Sequence, residues 1–281
     1  METVTATGKM DLHTHSLYSD GDRTPAQLVS LAADRGITML ALSDHDCVDG
    51  VDEAIAAGRQ AGMDIVPAVE FDNEFDQELH ILGLCIDHHA PCLVDALKET
   101  TARRADRNAR IVKQFSMNGY DVAPYLVTDK QGVLTRLHIA AALQVAGYTE
   151  ALKEGFSLMQ PGGPGYVPTN RLKPDEVIRA IKASGGIPVL AHPCHLKGNV
   201  HAIINWLIGL GIAGIEACYS TSTPGQTADF ISIAHQNGLI VTCGSDFHGD
   251  RRPKAALGCA YQDIPELAAT RELLQKRLIT G

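Results

Sequence analysis

Two histidines one residue apart, His13 and His15 in the stretch MDLHTHSLYSD, are the first residues in this chain able to do chemistry. On a strand, side chains alternate with a period of two, so both imidazoles leave the same face and can converge on one metal ion. Asp20 follows after a short polar loop. Further apolar runs end in, or carry, residues of the same kind: His45 in SDHD, Glu70 after DIVPAV, His80 in ELHILGLCID, His192 in AHP, and Asp246 with His248 in SDFH. This set is too large for one ion. Two or three ions with Glu70 as a bridging carboxylate would use it, since paired ions in hydrolases sit about 3.5–4 Å apart. Mixed nitrogen and oxygen ligation without thiolate suits manganese, iron or zinc better than calcium or magnesium.

Ligands so far apart in sequence need a scaffold that gathers strand ends. The helix at Thr24–Gly36 has an N-cap Thr, Pro25 at its first position and a closing glycine. ITMLAL reads as a buried strand, GVDEAIAAGRQAG as a helix closed by Gly62, and DIVPAVEF as a third strand. The alternation resumes with a helix in KPDEVIRAIKASGG, a strand in IPVLAHP, a helix in VHAIINWLIGLG and a strand in GIEACY. TADFISIAHQNG is then a helix and LIVTCGSDFHGD a strand. Such alternation implies an α/β fold of parallel strands with right-handed crossovers, closed or nearly closed into a barrel whose strand C-termini share one mouth. Between them, residues 99–168 break the rhythm with helical patterns. The barrel is therefore expected over 10–98 and 169–281, with 99–168 a helical insertion covering the mouth.

Composition agrees. A chain of 281 residues with 45% hydrophobic content can bury one large core. Its net charge of −9 disfavours a passive nucleic-acid scaffold and any stable nucleic-acid complex. The N-terminus lacks an apolar core segment and no run is long enough to span a membrane, so neither signal nor span is expected. Seven cysteines without a CxxC pair fit a reducing cytoplasm. The basic residues between Arg103 and Lys113 read mainly as a solvated helix face, and His88, His89, His201 and His235 as surface residues. Asp11, Asp44 and Asp46 lie beside ligands, where they either orient imidazoles or cap helices.

The combined motifs, HTH with a trailing Asp, DHD, a strand-end Glu, AHP and SDFH, resemble the metal motifs of the PHP (polymerase and histidinol phosphatase) family. The resemblance runs from about Met10 to the C-terminus. It implies a distorted seven-stranded (β/α) barrel with a trinuclear centre, often manganese. One ion would take His13, His15, Glu70 and Asp246; a second Glu70, His80 and His192; a third Asp20, His45 and His248. TRLHIAAALQVAGY followed by GGPGYVP resembles the subgroup of 3',5'-nucleotide bisphosphate phosphatases and 5'-3' exonucleases of short RNA. This chain departs from that pattern at Leu137, where a Pro is usual, and at Cys194 and His195, where a Gly-Arg is usual.

The expected reaction is hydrolysis of a phosphate monoester by a metal-bound hydroxide, with no protein nucleophile. Its expected substrate is a small nucleotide, foremost the 3'-phosphate of a 3',5'-nucleoside bisphosphate, with short RNA as a further substrate. Arg136 and His138 are candidate phosphate contacts, Lys197 a weaker one, and His195 a candidate proton donor to the leaving oxygen. Competing readings are a histidinol-phosphate-type phosphatase, a metal-dependent amidohydrolase, which commonly uses a strand-end Lys absent here, and a non-catalytic RNA-binding module.

Overall fold

The computed structural model describes residues 8–127 and 134–280. The chain separates into two compact units, one running to Leu97 and resuming at Leu172, the other Lys98–Arg171.

The larger unit holds a single seven-stranded sheet: β1 (Lys9–Asp11), β2 (Ile37–Leu42), β3 (Asp64–Asp72), β4 (His80–Leu84), β5 (Ile187–Leu190), β6 (Gly214–Tyr219) and β7 (Ile240–Gly244), each paired with the next. The segment after β1 meets the end of β7 through Leu12 N–H to Cys243 O (2.9 Å) and His15 N–H to Phe247 O (3.0 Å). These bonds nearly close the barrel. The largest buried apolar cluster of this unit includes Met10, Leu12, Val66, Phe71, Leu82 and Ile215, all fully buried.

Helices α1 (Pro25–Asp34) and α2 (Val51–Ala61) form as their caps dictate. The Thr24 hydroxyl accepts Gln27 N–H while the Gln27 side chain returns the bond, and Gly62 ends α2 in left-handed backbone with φ 65°. The 27-residue α3 (Pro91–Met117) begins in the larger unit and continues into the smaller, which adds α4 (Arg136–Val145) and α5 (Leu152–Leu158). The larger unit is completed by α6 (Pro174–Ala183), α7 (Val200–Leu210), α8 (Pro224–Asn237) and α9 (Pro265–Thr280). In the smaller unit Ile111, Phe115, Ile139, Leu143 and Met159 make a separate core. Arg103 and Arg107 of α3 donate to the carbonyls of Arg171 and of Val167 and Pro168, so this part of the basic run is tied down within its unit.

One expectation is corrected. Uniformly parallel strands were expected, but β4 runs antiparallel to both β3 and β5. Residues 73–79 between β3 and β4 are too few for a helical crossover, which takes about a dozen residues or more, so the chain turns straight back. The reversal places His80 opposite Asp72, at the start of its strand. An antiparallel strand begins at the rim where its neighbours end, and His80 therefore still reaches the mouth. Of the N-terminal stretch METVTATGK, expected to carry no signal segment, residues 1–7 lie outside the described residues.

Candidate metal centre

His13 and His15 lie just beyond β1, held in register by Asp246 N–H to His13 O (2.9 Å) and the Thr14–Phe247 bridge. Both side chains are fully buried. The remaining expected ligands arrive from the ends of β2, β3, β5 and β7, from the start of β4 and from the loop after β1. All nine meet in one cluster.

Glu70, 1% exposed, organises it. Its Oε2 lies 3.2 Å from His13 Nε2, 3.4 Å from His15 Nε2 and 3.0 Å from His45 Nδ1. The other oxygen, Oε1, lies 2.8 Å from His80 Nδ1 and 3.1 Å from His192 Nε2. The two oxygens thus face separate sets of imidazoles, as a bridging carboxylate does. Asp246 Oδ1 lies 3.1 Å from His15 Nε2 and 3.6 Å from His13 Nε2. At the other end, Asp20 Oδ1 sits 3.0 Å from His248 Nε2 and 3.9 Å from His45 Nε2.

These groups could hold metal ions on the strength of what they do not bond. His13 Nε2, His15 Nε2, His248 Nε2 and Glu70 Oε2 are buried and make no hydrogen bond, although opposing charges stand within about 3 Å. Orphaned buried polar atoms are costly. Atoms that are close yet misaligned for hydrogen bonding point at a shared space between them, the geometry of ligands around an ion. Among the described residues, groups in this centre with ligand atoms clustered closely enough for one ion are His15, Asp20, His45 and His248; His13, His15 and Glu70; His45, Glu70 and His80; and Glu78, His80 and His192. The fit is to nitrogen- and oxygen-seeking divalent ions.

A further layer fixes which nitrogen each ring presents. Glu216, wholly buried in the middle of β6, accepts from His13 Nδ1 (3.1 Å) and from the His192 backbone N–H (2.7 Å). That bond leaves His13 Nε2 as the inward ligand atom. His248 Nδ1 donates to the Asp246 carbonyl at 2.8 Å, which likewise turns Nε2 inward. Asp246 Oδ2 receives Tyr219 Oη–H (2.7 Å) and the Arg252 guanidinium, leaving Oδ1 toward the imidazoles.

Sequence inspection passed over Glu216, Tyr219 and Arg252. A charged residue inside the apolar run GIEACY was the available signal for Glu216; nothing marked Arg252 in DRRPK. Asp44 accepts from Ser16 N–H, Ser16 Oγ and Ser19 Oγ at 2.5–2.7 Å, so it orders the Ser16–Asp20 loop and not an imidazole directly. Asp11 accepts the N–H groups of Ser245 (2.9 Å) and Gly258 (2.7 Å).

The electrostatics follow from burial against pairing. Burial works against charge on His13 and His15, but Glu70 and Asp246 outweigh it and raise both. The same contest ends with His80 at about 10, its burial overcome by Glu70 and Asp72. His45 falls to about 3, since burial outweighs its carboxylate neighbours. Burial opposes ionisation of Glu70, Asp246 and Asp20 too, yet the surrounding imidazoles hold all three carboxyls below the usual range. Backbone strain is concentrated here as well. Asp46, His192 and Asp246 are held at φ 48°, 28° and 56°, a region that costs a non-glycine residue of order 1–3 kcal/mol.

The expected substrate contacts are placed as follows. His195 has its ring 4.9 Å from that of His192 and 5.2 Å from that of Tyr219, and burial lowers its pKa. At neutral pH it would therefore donate a proton only from its minor charged form. Lys197 is exposed, and its backbone is clamped by Gln77 through N–H to Oε1 (2.7 Å) and Nε2–H to O (3.3 Å). His138 is the third residue of α4, where its Nδ1 accepts Thr135 N–H at 3.1 Å in a capping box; Arg136 opens the same helix. No helix among the described residues is long and apolar enough to cross a membrane.

Residues 11–130 match the model of the PHP domain. The chain is 31% identical over 267 residues to a 3',5'-nucleoside bisphosphate phosphatase of Chromobacterium violaceum, covering 92% of this chain and 93% of the relative. It is 31% identical to a phosphoribosyl 1,2-cyclic phosphate 1,2-diphosphodiesterase of Eggerthella lenta (85% and 94% covered). To a 5'-3' exoribonuclease of Haemophilus influenzae it is 32% identical (86% and 90% covered). A solved Chromobacterium violaceum structure, described as an amidohydrolase with bound sulfate, superposes with a TM-score of 0.79 at 30% identity, covering 96% of each chain.

Proposed function

The chain belongs to the PHP family and is a metal-dependent phosphoesterase, a hydrolase of ester bonds, and we propose that its substrate is a small nucleotide bearing a terminal phosphate, foremost the 3'-phosphate of a 3',5'-nucleoside bisphosphate. The observation that carries the reading is Glu70, one buried carboxylate with each oxygen facing its own set of imidazoles, which suits a centre of two or three ions. Manganese is the ion we propose, with iron and zinc the competing choices. The bisphosphate phosphatase supports the choice of substrate, since similarity to it runs over nearly the whole of both chains. A second reading, degradation of short RNA from its 5' end, is favoured by the likeness to the exoribonuclease.

In this reading His13, His15, Glu70 and Asp246 hold one ion, Glu70, His80 and His192 a second, and Asp20, His45 and His248 a third. Bound divalent ions supply an acidified water and neutralise charge on phosphoryl oxygens. The chain supplies the rest. Glu216 and the Asp246 carbonyl fix the ring tautomers, so ligation costs no reorientation. Strand-end backbone excludes bulk water from the inner face, where His13, His15 and Glu70 are buried. His195 holds or passes a proton at the leaving oxygen, Lys197 is a candidate phosphate contact, and Arg136 and His138 of the smaller unit are separate candidate phosphate contacts.

The test is phosphate release by the manganese-loaded protein from AMP, 3',5'-bisphosphates, histidinol phosphate and short 5'-phosphorylated RNA. Preference for a bisphosphate over AMP is expected. Equal turnover of the two would refute the substrate, and release from histidinol phosphate alone would move the activity to that class.

A further inference from the structure

Arg252 stands at the opening of the centre, and nothing in the reading above gives it a role beyond steadying Asp246. The opening is lined by His45, Glu70, Glu78, His80, His192 and Asp246, together with Arg252, its one Lys or Arg among the described residues. Apart from its imidazoles, then, the lining is acidic. An anionic substrate approaching it meets three carboxylates and one guanidinium.

The guanidinium is half exposed and donates one Nη1–H to Asp246 Oδ2. No other hydrogen-bond partner of that group lies among the described residues. A guanidinium carries five N–H donors in a planar fork, the shape that binds phosphate oxygens in pairs. Asp246 Oδ2 is already satisfied by Tyr219 Oη–H at 2.7 Å, so Arg252 is not required to keep that oxygen bonded.

The turn that carries Arg252 is anchored. Asp250 N–H donates to Asp22 Oδ2 at 2.7 Å, and Arg251 Nη1–H donates to the Asp20 carbonyl at 3.0 Å. Gly249 turns the backbone at φ 71°, in a place where a Cβ would overlap the Asp22 carboxylate. A donor fixed before the substrate arrives costs no reorganisation when charge develops.

We propose that Arg252 binds the reacting phosphoryl group, resting on the phosphoesterase reading above. Its partner Asp246 faces His13 and His15 with the opposite oxygen, so the guanidinium is one carboxylate away from the centre. It therefore contacts the phosphate being cleaved, which every substrate shares, and not a second phosphate that only some carry. This sets it apart from the role proposed for Arg136.

The experiment compares wild type, Arg252→Ala, Arg252→Lys and Tyr219→Phe, each loaded with manganese. Three quantities are read: bound manganese per chain, the dissociation constant of inorganic phosphate by calorimetry, and kcat for an aryl phosphate and for a bisphosphate. Arg252→Ala should keep its manganese, weaken inorganic phosphate by about tenfold or more, and lower kcat on both substrates alike by roughly a hundredfold. Arg252→Lys should recover part of both losses, and Tyr219→Phe should leave phosphate binding near wild type. Loss of manganese in Arg252→Ala, equal phosphate binding in wild type and Arg252→Ala, or Tyr219→Phe reproducing the Arg252→Ala losses would overturn the proposal and leave Arg252 a support for Asp246. Should wild type bind manganese but cleave no phosphate ester, the reading of the reaction fails, while the phosphate-binding comparison still judges Arg252.

Discussion

Replacing Glu216 with Gln alters one atom at the back of the centre and should empty much of the front. The carboxylate accepts two donors at once, His13 Nδ1–H at 3.1 Å and the His192 N–H at 2.7 Å, with no exposure to water. A glutamine can accept one of them, and its amide N–H then faces the other. The lost bond is one to a charged acceptor, about 1.5–3 kcal/mol. At about 1.4 kcal/mol per factor of ten, that is roughly 10- to 150-fold in any equilibrium that depends on it. His13 and His192 belong to different proposed ion sets, so the set whose bond is lost should weaken. The expected loss agrees with the roughly 10- to 100-fold typical when the partner of a ligating histidine is removed. Manganese affinity would be measured by competition with a chromophoric chelator, and the His13 tautomer by nitrogen shifts in an imidazole-labelled sample. Manganese binding within twofold of wild type, with His13 still protonated at Nδ1, would refute the argument that this carboxylate sets the ligand geometry.

Three other outcomes are expected. Gly244→Ala should strip ions even though Gly244 is no ligand, because a Cβ there would lie 2.1 Å from Glu216 Oε1 and 2.3 Å from His13 Cβ; metal analysis after dialysis checks this, and full occupancy would count against it. The metal-free protein should be most stable near pH 6.5. His80, raised from 6.5 to about 10, contributes stability that is lost as pH climbs through that window, whereas His45, lowered to about 3, costs stability as pH drops from 6.5. Urea denaturation between pH 4 and 10 reads both limbs, and a flat profile would contradict the pairing. Arg136→Ala should raise KM for a bisphosphate far more than for an aryl phosphate; equal changes would remove it from recognition of a second phosphate.

Much of this centre was legible because barrel topology turns strand ends into neighbours. HxH, SDHD, AHP and SDFH each end an apolar run, and the fold collects them without further information. His80 was legible as a residue but not in its orientation, since a seven-residue connection and a short βα loop look alike until one counts what a crossover needs. The groups that were missed share a cause. Glu216 is hidden within a strand whose apolar neighbours mark it as core, and Arg252 lies in a polar turn of a kind common on any surface. Their roles depend on distances across the barrel, from β6 to the first strand and from the last turn to Tyr219, which no local pattern encodes. His138 illustrates the reverse: its place at the start of a helix was readable, whereas an imidazole closing a capping box is rare chemistry for that position.

Left-handed backbone at Asp46, His192 and Asp246 is maintained by strand pairing and by buried carboxylates, so folding itself assembles the cage. Chelation should leave an intact vessel, and reactivation on adding manganese should proceed at a rate set by ion concentration and not by refolding. A protein built this way should lose and regain its ions, and its activity with them, without unfolding.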